Sequence, residues 1–421
     1  MLQRYVNNLG INEGRIVLHS DLNNFFASVE CRNNPDLFGK PVAVCGNKAD
    51  RHGIVLAKNE MAKKYGVKTA EAIWEAKAKC PGLVIVPPNY DEYVRYSGMV
   101  KEIYYGYTDM IESFGIDEAW IELTGDRKIK TLEQGEIIAQ EIRNKVKEKT
   151  GLTVSVGVSD NKIFAKLASD FKKPDAVTVF GPHNYEDVIS KIDVGELLFV
   201  GKNTRKRLAL FGINTIGDLA SSNCSFMRSM LGKNGESLYI DACGANSSRV
   251  SRWGNADEAK SVGNSVTLPY DLKDACQVHE VFSALAEKVA YRLRSSGYAA
   301  NTLCISVRST GLVTTEKQTK IETTSNAVEL ARAATRLYME NYDNNKPVRS
   351  VGLRTTNLVS KKSGVQVNMF DTGLLKREKR EKLDNAVDKI RSRYGAAAIT
   401  HVSAMKIDML SHNATSFAHG T

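Results

Sequence analysis

Short apolar runs that end in acids organise the first part of the chain. Arg15-Ile16-Val17-Leu18-His19-Ser20 leads into Asp21, and Met110 to Ile116 leads into Asp117-Glu118, followed by Ala119-Trp120-Ile121-Glu122-Leu123. Alternation and β-branched content predict strands on these flanks. Between Leu132 and Lys149 the apolar positions Ile137, Ile138, Ile142 and Val146 fall on a helical stripe. Residues 27–89 read as a small insertion, closed by Pro81 and Pro87-Pro88. Residues from about 183 to 250 read as short helices, and 251–263 as a tether. From Asn264 the pattern runs strand, helix (Val278 to Ser295), strand (Asn301 to Ser309), strand (Thr315 to Thr323), helix (Ser325 to Tyr342), strand (Val348 to Leu358). No period of about 20–50 residues recurs, which argues against a solenoid. The pattern predicts an α+β multidomain chain.

Composition narrows this only where it bears on compartment and partners. A chain of 421 residues is expected to form two to four domains. No apolar run approaches the roughly 18 residues of a membrane span, and Met1-Leu2-Gln3-Arg4 lacks the apolar stretch of a signal peptide. The seven cysteines (31, 45, 80, 224, 243, 276 and 304) show no C-x-x-C spacing. They are expected to be reduced thiols in a cytoplasmic protein, with no structural zinc. The net charge is +10, and from Lys346 to Lys406 there are 14 Lys or Arg against five Asp or Glu. That concentration suits a polyanion, although a solvated basic surface would look the same.

Asp21, Asp117 and Glu118 carry the first chemical suggestion. Three carboxylates brought together by neighbouring strands form a hard oxygen cage suited to Mg²⁺, and two such ions about 3.5–4 Å apart can drive an in-line phosphoryl transfer. Acids at strand ends also occur in ordinary turns. The surrounding motifs decide between the two. Asp21-Leu22-Asn23-Asn24-Phe25-Phe26-Ala27-Ser28-Val29-Glu30 turns from strand to helix. Gly53-Ile54-Val55-Leu56-Ala57, Ala62-Lys63-Lys64-Tyr65-Gly66-Val67 and Ser113-Phe114-Gly115-Ile116-Asp117-Glu118-Ala119 follow in order. Val156-Gly157-Val158-Ser159, Asn161 to Asp170 and Lys172-Lys173-Pro174 complete the series. Most of the chain resembles the Y-family translesion DNA polymerases, in particular the bacterial DNA polymerase IV-like branch.

The resemblance implies a right-handed polymerase. The palm would be residues 1–26 and 90–175, the fingers 27–89, the thumb 176–250 and the tether 251–263. The little finger, with a β-α-β-β-α-β order, would be 264–365, and a clamp motif with a basic tail would occupy 366–421. It implies that Asp21, Asp117, Glu118 and the Leu22 carbonyl hold two Mg²⁺, with Mn²⁺ a possible substitute. Phe26 aligns with the steric gate that excludes a 2′-hydroxyl; Phe25, the other ring at that helix start, is a second candidate substrate contact, with one of the two expected in the core. Lys173 aligns with the palm lysine that contacts the triphosphate. The fingers depart from the family: Glu60 and Lys63 stand where a Tyr and an Arg are usual. Lys63 keeps charge without the bidentate fork, and Glu60 repels phosphate unless paired with Lys63 or Lys64. Arg51 and Lys58 are candidate compensations. Ile54 and Leu56 would lie over the nascent base pair and are bulkier than in the most lesion-tolerant relatives. Gly115 replaces the usual serine, and Asn23 replaces a frequent acid and reads as a polar turn residue.

Leu197 to Thr204 followed by Arg205 to Phe211 resembles a helix-hairpin-helix, with Gly201, Lys202 and Thr204 facing a DNA phosphate. Leu198-Phe199 replaces the usual Pro-Gly, so an ordinary helical hairpin stays open. Gln366-Val367-Asn368-Met369-Phe370 resembles the pentapeptide by which such enzymes bind the bacterial sliding clamp, Met369 and Phe370 filling an apolar pocket. A basic helix is expected from Lys376 to Arg393. The expected partners are primer-template DNA, deoxynucleoside triphosphates and the clamp, with no membrane and a monomeric state. Two other readings are a palm-bearing nucleotide cyclase, active without template, and a DNA- or clamp-binding accessory without turnover.

Overall fold

Strand β1 (Val17–Leu22) is buried along all six residues. It is followed by α1 (Phe25–Asn33), β2 (Val42–Cys45), β3 (Val55–Lys58), α2 (Glu60–Lys64), α3 (Ile73–Lys79) and β4 (Val84–Val86). The computed structural model describes residues 12, 14–46, 53–124, 129–255, 259–343, 346–360, 374–395 and 398–399. Two units divide the chain: Met1–Cys45 with Val55–Ala256, and Gly46–Ile54 with Asp257–Thr421.

In the first unit, β2, β3 and β4 make a small sheet of order β3-β2-β4. The chain continues through α4 (Tyr90–Tyr105), β5 (Ile111–Ser113), β6 (Glu118–Glu122), α5 (Leu132–Thr150), β7 (Val154–Ser159), α6 (Lys162–Phe171) and β8 (Val177–Phe180). The larger sheet has the order β5-β6-β1-β7-β8, with β1 antiparallel to both neighbours and β7 parallel to β8. Strand β1 is buried on both faces although His19, Ser20 and Asp21 are polar, so each of these needs a partner inside the fold. Ile16, Leu18 and Leu22 pack with α4 and α5, whereas Val17 packs with Trp120 and Ala165 on the opposite face. Helix α5 is set by its ends: Thr131 and Gln134 form a capping box, and Gly151 takes a left-handed φ of 71°.

Gly157 brings α6 close to the sheet. A Cβ there would meet the Ala165 carbonyl at 1.9 Å and the Ser169 nitrogen at 2.4 Å. Helix α6 is shared between two cores. Ala165 belongs with Val17, Trp120 and Val250, while Ile163, Phe164, Leu167 and Ala168 belong to the core of the helical segment that follows. That segment holds α7 (Lys202–Ala209), α8 (Ile216–Ser221), α9 (Cys224–Leu231) and α10 (Lys233–Ala242).

The second unit contains β9 (Ser261–Leu272), α11 (Ala275–Ser295), β10 (Tyr298–Ser309), β11 (Thr314–Thr324), α12 (Ala327–Asn341), β12 (Val348–Ser360) and α13 (Leu374–Tyr394). Its sheet has the order β11-β10-β12-β9 and is antiparallel throughout. Val278, Val281, Phe282, Leu285, Val289 and Leu293 of α11 recur every three or four residues and supply much of the core. Helix α13 adds a third helix, held by charge: Arg294 pairs with Asp388 at 2.6 Å, Asn326 donates to Asp384 at 2.8 Å, and Arg391 pairs with Glu287 at 2.7 Å.

Several boundaries differ from expectation. The large sheet takes its fifth strand from Val177–Phe180, beyond residue 175. Helix α1 crosses the 26/27 boundary, and β9 begins inside the expected tether. The run Met110 to Ile116 gives only a three-residue strand, because the chain turns at Phe114–Asp117 before β6.

Candidate active site

Strand register assembles the acids. Asp21 of β1 pairs across the antiparallel ladder with Glu118, the first residue of β6. Residues opposite each other in such a ladder place their Cβ atoms about 4.5–5.5 Å apart. Asp117 precedes β6, and its carbonyl accepts from Leu22 N–H at 3.1 Å. Alternation puts Asp21 and Glu118 on the α6 face. There Lys166 Nζ lies 2.6 Å from Glu118 Oε2 and 3.4 Å from Asp21 Oδ2, and Lys173 Nζ lies 2.7 Å from the same Asp21 oxygen. Asp170 pairs with both lysines, at 3.4 Å to Lys166 and 2.7 Å to Lys173. His19, wholly buried, sets Nε2 3.3 Å from Glu118 Oε2 and Nδ1 2.8 Å from Ser169 Oγ.

The environment separates the two adjacent acids. Burial, and then the charges of Asp21 and Glu118, push Asp117 up to about 6. Burial also works to raise Glu118, but the His19 ring and the Lys166 ammonium beside it overcome it and hold that carboxyl at about 2. For Lys166, burial opposes the charge, yet Asp170, Glu118 and Asp21 keep its pKa above the ordinary value.

The donor set is hard oxygen, as a divalent ion requires, and it already attracts cationic groups. Among the described residues no three His, Cys, Asp or Glu side chains are arranged to enclose an ion as they stand. Lys166 bridges two of the carboxylates instead. Asp21, Asp117, Glu118 and the neighbouring Leu22 carbonyl are thus chemically suited to hold divalent ions once the ammonium is displaced.

The other expected residues divide. Phe26 is partly exposed and stacks on Tyr93, with ring centroids 4.1 Å apart and planes 9° from parallel. Phe25 is a correction: at 3% exposure it lies in the apolar core and presents no face to a substrate. Lys173 is at the carboxylates, as described. Glu60 is neutralised, since it accepts from Asn24 at 2.9 Å and pairs with Lys63 at 3.5 Å. Lys58 is engaged with the Thr69 hydroxyl at 3.1 Å. Ile54 is exposed and Leu56 half-buried. Asn23 is a buried linker that donates to Thr153 and accepts from Ser155. A Cβ on Gly115 would stand 3.3 Å from an Asp117 carboxylate oxygen. Arg51, Gln366, Met369 and Phe370 lie outside the described residues.

In the helical segment, Gly201 caps α7 and is exposed with Lys202, and Thr204 is half-buried. Phe199 adopts a φ of 70°, the left-handed region that glycine favours. His19, Lys166 and Asp170 belong to this cluster without having been expected there; the spacing of Lys166, Asp170 and Lys173, which puts them on one side of α6 and its end, is the signal that marks the last two.

Residues 20–170 match the impB/mucB/samB family, and residues 259–369 match the C-terminal domain of that family. The chain is 45% identical over 382 residues to a DNA polymerase IV of Acetivibrio thermocellus, covering 90% of this chain and 95% of that one. It is 34% identical over 411 residues to DNA polymerase IV 1 of Bacillus subtilis, covering 96% and 97%. A solved Y-family DNA polymerase chimera superposes with a TM-score of 0.73 at 27% identity, over 82% of this chain and 99% of its own. Among the described residues no helix is long and apolar enough to cross a membrane.

Proposed function

Because the chain belongs to the impB/mucB/samB family, as a DNA-directed DNA polymerase of the Y-family in its bacterial DNA polymerase IV-like branch, we propose that it extends primers across damaged template by two-metal phosphoryl transfer. Family membership carries dependence on divalent metal and the substrates primer-template DNA and deoxynucleoside triphosphates. The finer reading is two Mg²⁺, replaceable by Mn²⁺, at Asp21, Asp117, Glu118 and the Leu22 carbonyl. The observation that carries it is the direct register of Asp21 with Glu118 on adjacent strands.

Bound there, divalent ions supply Lewis acidity to the primer 3′-hydroxyl and to the leaving pyrophosphate. The chain's own groups do the placing. The buried strands β1 and β6 fix the carboxylates. Lys173 would meet the triphosphate, and Lys63 would be a weaker second contact on leaving Glu60 to its Asn24 partner. The ring of Phe26, braced by Tyr93, is placed to close the space that a 2′-hydroxyl would need. Ile54 and Leu56 would cover the base pair, and the exposed amides at Gly201 and Lys202, with Thr204, would meet DNA phosphate. Residues 366–370 would bind the sliding clamp. The neutral pairing of Glu60 removes one of the departures on which a non-catalytic accessory reading would stand.

Asp117→Ala with Glu118→Ala tests the site. Extension in Mg²⁺ should fall by about a thousandfold or more, while primer-template binding persists, since Lys and Arg contacts to phosphate dominate affinity. Retained extension would remove the two-metal assignment.

A further inference from the structure

Two ammonium groups sit where divalent ions are needed. Asp21 Oδ2 lies within ion-pair reach of both Lys166 and Lys173, and Glu118 Oε2 within reach of both Lys166 and His19. Mg²⁺ binds its oxygens at about 2.0–2.1 Å and demands near-octahedral geometry. A carboxylate oxygen with an ammonium 2.6 Å away cannot also present that lone pair to an ion. An ion that bridges Asp21 Oδ2 and Glu118 Oε2 therefore competes with Lys166 for those oxygens.

We propose that Lys166 is a resident counter-cation that competes with the divalent ion for Asp21 and Glu118, and that its transfer to an incoming triphosphate couples metal binding to nucleotide binding. The inference rests on the metal site proposed above.

The surroundings fit a short, reversible displacement. Helix α6 is fixed by the close approach at Gly157, so the backbone of Lys166 stays put while its side chain swings. Asp170 offers a second anion at i+4 to Lys166 and is also paired with Lys173, and its side chain is 39% exposed. Both ammoniums can leave the cage without losing every partner. Asp21 and Glu118, opposite each other in the ladder, would repel one another without these lysines. A triphosphate brings negative charge that draws the lysines off, while the ion restores positive charge to the carboxylates. Each ligand then favours the other, and by linkage the two effects on affinity are equal.

The test is Mn²⁺ binding by the full chain without DNA or nucleotide, followed by the electron paramagnetic resonance of free Mn²⁺. Lys166→Gln should bind Mn²⁺ at least about tenfold more tightly, because a unit charge within ion-pair distance has been removed. Lys166→Arg, which keeps the charge, should not. Equal or weaker binding by the Gln variant would overturn the proposal. A second measurement needs no variant: saturating Mn²⁺ should raise the reductive methylation of Lys166, read by mass spectrometry, several-fold in the parent chain. Unchanged or reduced labelling would also overturn it. The Asp117→Ala, Glu118→Ala chain separates the two readings. If it binds Mn²⁺ as the parent does, the metal site itself lies elsewhere. If it loses Mn²⁺ while Lys166→Gln behaves as the parent, only the competition fails.

Discussion

Phe25 and Phe26 are adjacent in sequence and opposite in fate, because a helix turns consecutive side chains by about 100°. One fills the core and the other, partly exposed, lies flat against Tyr93. Phe26→Ala should raise ribonucleotide incorporation by about 10- to 100-fold with little change for mispaired deoxynucleotides. Single-turnover insertion of matched ribo- and deoxynucleotides measures this, and unchanged sugar discrimination would place the gate elsewhere. A second residue-scale test concerns Glu122, which is paired with Arg15 at 3.2 Å and Arg249 at 3.1 Å, its side chain 3% exposed. Burial works to raise its pKa, but Arg15 and the Val250 N–H hold it below the ordinary value. Its stabilisation is therefore full above the unfolded carboxyl pKa and lost as pH falls through the lower folded value. Glu122→Gln should cost about 3 kcal/mol at neutral pH, with the gap from the parent closing below about pH 4. Paired melting curves across pH check the sign. Asp21 and Glu118 were legible as strand-end acids because periodicity marks the strands that carry them, whereas their grouping with Asp117 came from the resemblance. Lys166 was not legible, because its contact depends on how closely α6 packs at Gly157, a tertiary distance that periodicity does not encode.

At the scale of elements, the β-α-β-β-α-β order of the second unit was legible to within a few residues, since long amphipathic helices and alternating strands dominate there. The run before Asp117 was not, because apolar residues at Phe114 and Ile116 continue a strand pattern through what is a turn. Helix α13 shows the same divide. Its basic helical character is plain in sequence, whereas the partners of Asp384 and Asp388 are not. In the fold both acids turn inward to Arg294, which is only 7% exposed. Asp384→Asn with Asp388→Asn should release this helix, raising amide hydrogen exchange across residues 374–395 while leaving β10 and β12 protected. The loss in stability should be about 1–3 kcal/mol. Equal exchange in variant and parent would mean that the pairing does not hold the helix.

For the whole molecule, the proposed clamp-binding segment, residues 366–370, carries a prediction of its own. A polymerase gripping DNA mainly through phosphate contacts dissociates often, and more so in high salt. Tethering raises the effective concentration of primer ends without altering the chemical step. Replacing Gln366, Met369 and Phe370 together with Ala should leave single-nucleotide insertion on short primers unchanged and remove stimulation by a loaded clamp on long templates. Equal stimulation would make the pentapeptide a chance match, and a lowered melting temperature with lost basal activity would assign it to packing. Within the first unit, α6 has one side in the helical core and another against Val17 and Trp120 of the large sheet. The helix is thus a shared wall: a substitution that loosens the helical core, such as Phe164→Leu, acts on the same ten residues that carry Lys166 to the acids.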